Sequence, residues 1–308
     1  MANQTEKTPR GLARLPHITT PLLVLFVLAA MHLSRFVLMR AANLTNLFLS
    51  IALVQIMVLV LPCMLYYLLK GRKLSSPMFL TAPSPRHIGL TLSGALVLVI
   101  GSLLIKFFYR AASEQSVDIS GFFDRFSAGE ADPPFAGVLL SIVIIPAVCE
   151  ELFFRGVVLA EYRTLGEGNA IILSAVCFAM LHFSVSGFPI YLFIGLLLGV
   201  ITSVSRSVLP AMFLHLLSNT LNVYTSDQFL KIIMQKNGAF FVGFLLAVLF
   251  GIALFLLFYN IEHMYRKYAS DPPEGSLPPK SRAHLTKVFL SPTFLMLIAV
   301  FFVITAFQ

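Results

Sequence analysis

The sequence contains no tryptophan, and only 12% of its 308 residues are charged. Soluble domains usually carry about 25% charged residues, so the low fraction excludes an ordinary soluble domain. The hydrophobic fraction is 58% and the mean hydropathy is +0.88, which predicts a polytopic membrane protein. Without tryptophan, an aromatic belt at the membrane interfaces would depend on tyrosine. The candidates for this belt are Tyr66, Tyr67, Tyr109, Tyr162, Tyr259 and Tyr265.

Cysteine is also scarce, with Cys63, Cys149 and Cys177 all inside apolar runs. An odd number of cysteines in apolar surroundings excludes a disulfide framework. Cys149 adjoins Glu150, but a thiol buried among apolar groups is inert, and we interpret it as a small buried residue. The pI of about 9.5 does not indicate a nucleic-acid partner, because the basic residues lie in short segments beside apolar runs.

Nine apolar runs approach the roughly 20 residues that a membrane-spanning helix needs. Proline-rich clusters such as Asp132-Pro133-Pro134 separate them, and no internal repeat is evident. The predicted spans are Pro21–Met39, Thr45–Leu69, Ile88–Tyr109, Phe135–Tyr162, Ala170–Phe183, Phe188–Val204, Val208–Tyr224, Ala239–Tyr259 and Val288–Phe307. The pattern therefore predicts an all-α polytopic membrane bundle with eight or nine transmembrane helices.

The basic residues predict the orientation of this bundle, because cytoplasmic segments are enriched in lysine and arginine. A cytoplasmic N-terminus places 15 of the 22 basic residues inside and the acidic stretch 114–132 outside. The inside set is Lys7, Arg10, Arg14, Lys70, Arg72, Lys73, Arg86, Arg155, Arg163, Arg206, Arg266, Lys267, Lys280, Arg282 and Lys287.

The most informative feature is the charged cluster Glu150-Glu151-Leu152-Phe153-Phe154-Arg155 in the middle of an apolar run. Each charge at the centre of a spanning helix costs roughly 2.5–3.5 kcal/mol, so such charges mark a functional site unless they form a structural network. Glu151 and Arg155 are four residues apart and can pair on one helix face. Glu150 points about 100° away, without a partner at helical spacing, and is a candidate general base.

Three further polar residues lie in later apolar helices. His182 ends the segment Phe178-Ala179-Met180-Leu181-His182, and its imidazole could meet Glu150 around a water molecule. His215 and Asn219 are four apart, so they share a face and could donate hydrogen bonds to an oxyanion. Each alone is more typical of core packing or of hydrogen bonds between helices. Glu150 lies about 21 Å from the outer end of its helix, at roughly 1.5 Å per residue. His182 lies near the outer end of its own helix. The two side chains can therefore meet only if the helices tilt or if the second helix begins below the membrane surface.

Glu150-Glu151-x-x-x-Arg155, Phe178-x-x-x-His182 and His215-x-x-x-Asn219 resemble, in order, the three motifs of the CAAX-protease and bacteriocin-processing (CPBP or ABI) family. The resemblance covers about residues 135–224. It implies a membrane helix bundle around a hydrated cavity, and glutamate-dependent intramembrane proteolysis without a metal or other cofactor. Members of the family include the endopeptidases that remove the last three residues of prenylated CAAX proteins.

Carried over motif by motif, the resemblance implies that Glu150 and His182 activate the attacking water, and that His215 and Asn219 form an oxyanion hole. Glu151 and Arg155 would support the first motif. The expected partners are the lipid bilayer and a membrane-associated peptide or protein, prenylated or not, with no nucleic acid. The expected location is the plasma membrane of a prokaryote. The predicted organisation is a cytoplasmic tail at 1–20, membrane helices at 21–132, catalytic core helices at 133–225 and C-terminal membrane helices at 226–308 with a polar loop at 262–287.

Four alternatives stay open. Two histidines and a glutamate could bind zinc, although no His-Glu-x-x-His is present. Ser186 with His215 could form a serine protease, although a turn explains Ser186-Gly187. Intramembrane glutamate, histidine and arginine also build the proton relays of transporters. A non-catalytic scaffold or bacteriocin-immunity protein could keep the same bundle.

Overall fold

Helices form the whole described architecture. The computed structural model describes residues 16–38, 44–69, 85, 87–113, 135–224, 238–270 and 285–307, and these contain no β-strand. The α-helices are α1 (Pro16–Leu38), α2 (Leu44–Gln55), α3 (Leu61–Leu69), α4 (His87–Ser113), α5 (Phe135–Val138), α6 (Ile145–Phe153), α7 (Ala160–Tyr162), α8 (Glu167–Leu181), α9 (Phe188–Ser205), α10 (Val208–Tyr224), α11 (Ala239–Ser270), α12 (Leu285–Phe289) and α13 (Pro292–Ala306). Three π-helical segments join some of them end to end: π1 (Ile56–Val60), π2 (Leu139–Ile144) and π3 (Phe154–Leu159).

Six helical runs are long and apolar enough to cross a membrane. They are Pro16–Ser34, Leu47–Leu68, His87–Arg110, Phe135–Leu165, Phe188–Ser205 and Ala239–Arg266. Three shorter apolar helices, Glu167–Leu181, Val208–Val223 and Pro292–Ala306, complete the described set. Large apolar side chains such as Phe240, Phe241 and Phe255 lie on the outside, as expected for a surface in contact with lipid. The predicted all-α polytopic bundle is confirmed, and the chain is an integral, multi-pass membrane protein.

The antiparallel helices α8 and α9 pack closely at the centre of the bundle. The helix α4 packs against α9, α10 and α11, while α1 packs against α13. Gly195 permits the close approach of α8 and α9, because a Cβ atom at this position would lie only 3.0 Å from the backbone Cα of Ala175. The carbonyl oxygen of Gly195 also accepts a hydrogen bond from Arg155, so this contact connects the helix packing to the charged cluster.

We expect Gly195→Leu to lower the free energy of unfolding by about 1–3 kcal/mol, because the added side chain overpacks the contact between α8 and α9. Thermal unfolding of the purified protein in detergent measures the change. Gly251→Leu is the matched control, since a Cβ atom at Gly251 meets no atom within 4 Å. Equal destabilisation by the two substitutions would contradict the assignment of Gly195 as a packing position.

Several predicted boundaries differ from the structure. The helix α1 begins at Pro16, inside the predicted tail, and the rest of that tail lies outside the described residues. The helix α11 continues to Ser270, nine residues into the predicted polar loop at 262–287. The exposed pair between Arg266 Nη2 and Glu262, 2.5 Å long at i, i+4 spacing, supports this polar extension.

Two other predictions require correction. Tyr67 and Tyr162 are almost completely buried, so they do not belong to an interfacial belt. Arg155 was counted among the cytoplasmic basic residues, but its side chain is fully buried inside the bundle. Most of the other residues in that count lie outside the described part of the chain, so the cytoplasmic N-terminus stays a prediction.

Candidate active site

Among the described residues, the acidic pair lies in the helical run with the most π-helical backbone. Glu150 and Glu151 belong to α6, which is continued at both ends by π-helical segments, π2 before it and π3 after it. A π-helix uses i→i+5 hydrogen bonds and often occurs at functional sites. Within π3, the carbonyl oxygen of Phe154 accepts a hydrogen bond from Ser174 Oγ (3.0 Å), and that of Gly156 accepts one from Tyr67 Oη (2.6 Å). Neighbouring helices therefore hold this unusual backbone in place.

Glu151 is the centre of a buried ionic network. One of its oxygens, Oε1, accepts hydrogen bonds from Arg155 Nη1 (2.5 Å) and from His215 Nδ1 (2.8 Å). Arg155 Nη2 donates to the carbonyl of Gly195 (3.1 Å), and the guanidinium lies 4.7 Å from the centre of the Phe178 ring. The pairing of Glu151 with Arg155 agrees with the helical spacing. The bond from His215 to Glu151 was not predicted.

Glu150 has a different environment from its neighbour. Its Oε2 atom, like Oε2 of Glu151, is buried and has no hydrogen-bond partner in the described part of the chain, but only that of Glu150 lies between two imidazole rings. The same atom lies 4.0 Å from His182 Nε2 and 3.8 Å from His215 Nε2. Three polar groups from three separate helical segments thus converge on one point, with the unpartnered carboxylate oxygen between two imidazole rings.

A tight hairpin explains how Glu150 and His182 meet. The chain reverses at Gly166, whose φ of 102° favours glycine, and the partly exposed pair between Arg163 and Glu167 (2.7 Å) flanks the turn. Glu150 and His182 lie 16 residues before and after Gly166, so equal lengths of helix bring them to the same level. The expected depth mismatch arose because α8 was assumed to reach the outer surface. It ends after 15 residues, level with the acidic pair.

The His182 ring is held from two sides. Its Nδ1 donates to the carbonyl oxygen of Phe178 (3.0 Å), which leaves Nε2 as the atom that faces Glu150. Tyr191 of α9 stacks on the ring, with centroids 3.7 Å apart and planes inclined by 20°. Sequence reasoning missed Tyr191, since it belongs to the next helix and no local spacing connects it to His182.

If His182 takes part in peptide cleavage, as the resemblance implies, Tyr191→Ala should lower kcat about tenfold, because the ring would lose the stack that holds it in position. Tyr191→Phe keeps the stacked ring and should retain most of the activity. The measurement is the steady-state cleavage rate of a peptide by each purified variant. Equal loss in the two variants would contradict a role for the ring stack and would point to the hydroxyl group.

Asn219 lies one helical turn after His215 in α10. Its Nδ2 donates to the carbonyl oxygen of Val143 in π2 (3.3 Å), which fixes the amide beside the acidic helix. An amide NH₂ has two N–H donors, so the bond to Val143 uses only one of the two N–H groups of Asn219. The two residues of the predicted oxyanion pair are thus near the acidic helix, but His215 also bonds to Glu151.

Ser186 and Cys149, two residues that could act as nucleophiles, lie in surroundings typical of structural residues. Ser186 lies in an exposed turn and its hydroxyl contacts that of Ser184 (3.3 Å), in agreement with a turn. Cys149 is a buried free thiol, like Cys63 and Cys177. Within the described ranges, no group of three histidine, cysteine, aspartate or glutamate side chains is arranged to hold a metal ion.

One comparison with known proteins gives a match. Residues 132–221 match the Rce1-like family, described as "Type II CAAX prenyl endopeptidase Rce1-like". The match covers under a third of the chain, but this third contains the acidic pair, His182, His215 and Asn219. It confirms the resemblance to the CAAX-protease family and supports intramembrane endopeptidase as the general class of activity. No curated protein and no solved structure matches the chain.

Proposed function

We propose that the protein is an intramembrane endopeptidase that hydrolyses a peptide bond with a water activated by Glu150 and His182. The observation that carries the proposal is the position of Glu150 Oε2, which is buried, unpartnered within the described residues and close to two imidazole nitrogens. In the structural ion pair of Glu151 with Arg155, Oε1 of Glu151 accepts two hydrogen bonds and only Oε2 has no partner within the described residues. Oε2 of Glu150, in contrast, faces two imidazole nitrogens at a distance that leaves room for a water. Polar contacts longer than 3.5 Å are commonly bridged by water, and 4.0 Å is short enough for one water to contact both groups.

His182 suits the role of a proton acceptor. Because Nδ1 donates to a carbonyl, the neutral ring carries its lone pair on Nε2, which faces the Glu150 carboxylate. The water oxygen would attack the carbonyl carbon while its proton passes to Glu150 or His182. That proton is then delivered to the leaving nitrogen as the C–N bond breaks, and the second water proton ends on the new carboxylic acid or its base.

His215 and Asn219 are proposed to stabilise the oxyanion of the tetrahedral intermediate. Asn219 can donate through the N–H that does not reach Val143. His215 can donate through Nε2 only when both of its nitrogens carry protons, since Nδ1 donates to Glu151. The positive charge of that ring would lie beside the Glu151 carboxylate. Glu151 and Arg155 are supporting residues in this account, because they orient His215 and the acidic helix.

The proposed substrate is a membrane-associated peptide or protein, and a prenylated CAAX-type tail is the form that the matched family favours. The proposal uses no cofactor and places the N-terminus in the cytoplasm of a prokaryote. The catalytic core would be residues 133–225.

Peptide cleavage by purified protein in detergent tests the proposal, with products identified by mass spectrometry. We expect cleavage of prenylated CAAX peptides that persists in the presence of metal chelators. Loss of cleavage with chelators, restored by zinc, would favour a metalloprotease. Ion or proton flux in liposomes without peptide cleavage would favour a carrier, and full biological activity of Glu150→Ala would favour a scaffold.

A further inference from the structure

The helix α8 ends on an unusual backbone conformation directly after His182. Phe183 has a φ of 48°, in the left-handed region, and Arg206 is the one other non-glycine residue with a positive φ among the described residues. Helices often end on a residue in this conformation, but that residue is usually glycine, because a Cβ atom is disfavoured there. A bulky residue persists in it only where the surrounding structure fixes it, and such positions cluster at functional sites.

The left-handed turn changes the hydrogen bonds at the end of α8. The backbone N–H of Phe183 donates to the carbonyl of Met180 (3.2 Å). The backbone N–H of His182 donates to the carbonyl of Ala179 (3.3 Å). Each N–H thus reaches back three residues, whereas a continued α-helix would join the N–H of His182 to Phe178, four residues back. The carbonyl oxygen of Phe178 instead accepts a hydrogen bond from the imidazole Nδ1 of His182 (3.0 Å).

This carbonyl decides which ring nitrogen of His182 carries the proton. A carbonyl oxygen can only accept, so a hydrogen bond with Nδ1 requires the proton on Nδ1. In the neutral ring the lone pair then lies on Nε2, which is 4.0 Å from Glu150 Oε2. If α8 continued as a regular helix, the Phe178 carbonyl would accept a backbone N–H and the ring would have to compete for it. The conformation of Phe183 is thus connected to the chemistry available at Glu150.

A ring from the first helix packs on Phe183. The Phe183 side chain is buried, and His32 of α1 lies against it, with ring centroids 5.9 Å apart and planes inclined by 58°. Paired aromatic rings favour tilted arrangements with centroids about 4.5–7 Å apart. Nδ1 of His32 is buried without a hydrogen-bond partner in the described part of the chain. The structure therefore shows His32 meeting the end of α8 through its ring and not through a hydrogen bond from Nδ1.

We propose that Phe183, packed against His32, is a positioning residue that keeps His182 in the tautomer with Nδ1 protonated and Nε2 directed at Glu150. The contact with α1 stabilises the left-handed turn, and the turn ends α8 so that the Phe178 carbonyl can hold the ring. The effect on catalysis rests on the proposed function, whereas the tautomer is a property of the folded protein. His32 lies outside the segment matched by the family model, so the inference gives α1 a part in the site.

The imidazole nitrogens of His182 report the tautomer directly. In protein with isotopically labelled histidine in detergent, heteronuclear NMR separates a protonated ring nitrogen from an unprotonated one. The His182 signals are identified by their loss in His182→Ala. We expect the neutral wild-type ring to be protonated at Nδ1, and Phe183→Ala to shift both nitrogens toward the average of the two tautomers. Leu33→Ala is the control, since it removes the exposed neighbour of His32 on α1, and it should leave both shifts unchanged.

Phe183→Gly and Phe183→Ala separate the backbone conformation from the loss of the ring. Both substitutions remove the aromatic side chain, but glycine adopts a φ of 48° without strain and alanine does not. We expect Phe183→Ala to lower kcat about tenfold with KM changed less than about twofold, because a reacting group is displaced. Phe183→Gly should retain more of the Nδ1 tautomer and more of kcat. At a position that only fills space, glycine would be the worse residue, since it gives the unfolded chain more freedom.

The His32 variants test the contact with α1. His32→Ala should shift the tautomer in the same direction as Phe183→Ala, and His32→Phe should restore it, because an aromatic ring again packs on Phe183. Thermal unfolding of each preparation shows that the compared variants are folded. If the Phe183 variants do not fold, the two His32 variants decide. A wild-type tautomer in His32→Ala, or equal shifts in His32→Ala and His32→Phe, would overturn the proposal.

The NMR measurement needs no substrate, so it separates this inference from the proposed function. Protonation of Nε2 in the neutral wild-type ring would overturn the inference and leave Glu150 as the base of the peptidase proposal. An unchanged tautomer in Phe183→Ala, or a Phe183→Ala protein at least as active as Phe183→Gly, would also overturn it. A protein that cleaves no peptide, but whose His182 tautomer depends on Phe183, would support the inference and overturn the peptidase proposal.

Discussion

Glu150→Gln should lower kcat for peptide cleavage by about 10²–10⁴-fold, the usual loss when a general base is removed. Glutamine has the same shape but cannot accept the proton of the attacking water. Because Glu150 Oε2 has no hydrogen-bond partner within the described residues, the substitution breaks no bond that the structure shows. The variant should therefore fold and keep its thermal stability while it loses activity. Single-turnover cleavage and thermal unfolding of the same preparation measure the two properties.

The matched control for this variant is Glu161→Gln, which changes another buried glutamate of the same helical run at a distance from the cluster. It should retain activity. A Glu150→Gln protein that is stable and cleaves at the wild-type rate would remove Glu150 from the mechanism. Parallel loss of activity and stability in both variants would show that buried glutamates act in folding rather than in catalysis.

Arg155→Met should lower the free energy of unfolding by about 3–5 kcal/mol, because it leaves the buried carboxylate of Glu151 without its cationic partner. Arg155 and Glu151 are both fully buried, and Arg155 also donates to the Gly195 carbonyl. Equilibrium unfolding in mixed detergent measures the change. We expect the substitution to lower stability directly. It should lower activity indirectly, because the acidic helix would be misplaced.

Arg163→Met provides the comparison, since Arg163 and Glu167 form a second i, i+4 pair close to the same helix but are partly exposed. Exposed pairs contribute about 0–1 kcal/mol. A large difference between the two arginine variants is therefore expected. If Arg155→Met lowered the free energy of unfolding no more than Arg163→Met does, the buried pair would not stabilise the fold. Its role in positioning His215 would then need another explanation.

Local spacing predicted the part of the site that lies on single helices. Glu151 and Arg155 are four residues apart and pair as the spacing requires. The bond between His215 and Glu151 joins residues 64 positions apart, and no sequence period reports such a contact. Tyr191 was missed for the same reason, because its stack on His182 depends on how α8 and α9 cross.

Irregular backbone was the other source of error. The segments π2 and π3 have ordinary apolar sequences, and they depend on donors from elsewhere in the chain, such as Tyr67 and Ser174. Counting from an outer membrane surface separated Glu150 from His182, and the sequence left tilt or a helix that begins below the surface as ways to close the gap. Counting from the turn at Gly166 instead places Glu150 and His182 at the same height in the bundle, because the hairpin at this turn connects their two helices. The catalytic roles themselves stay predictions.

A double-mutant cycle tests the account most directly, with single-turnover cleavage by wild type, Glu150→Gln, His182→Ala and the double variant. If both residues act on one water, removing either one should remove most of their joint effect, and the double variant should be within about threefold of the slower single variant. Rate losses that multiply would contradict a shared water and would show that Glu150 and His182 contribute to the reaction independently.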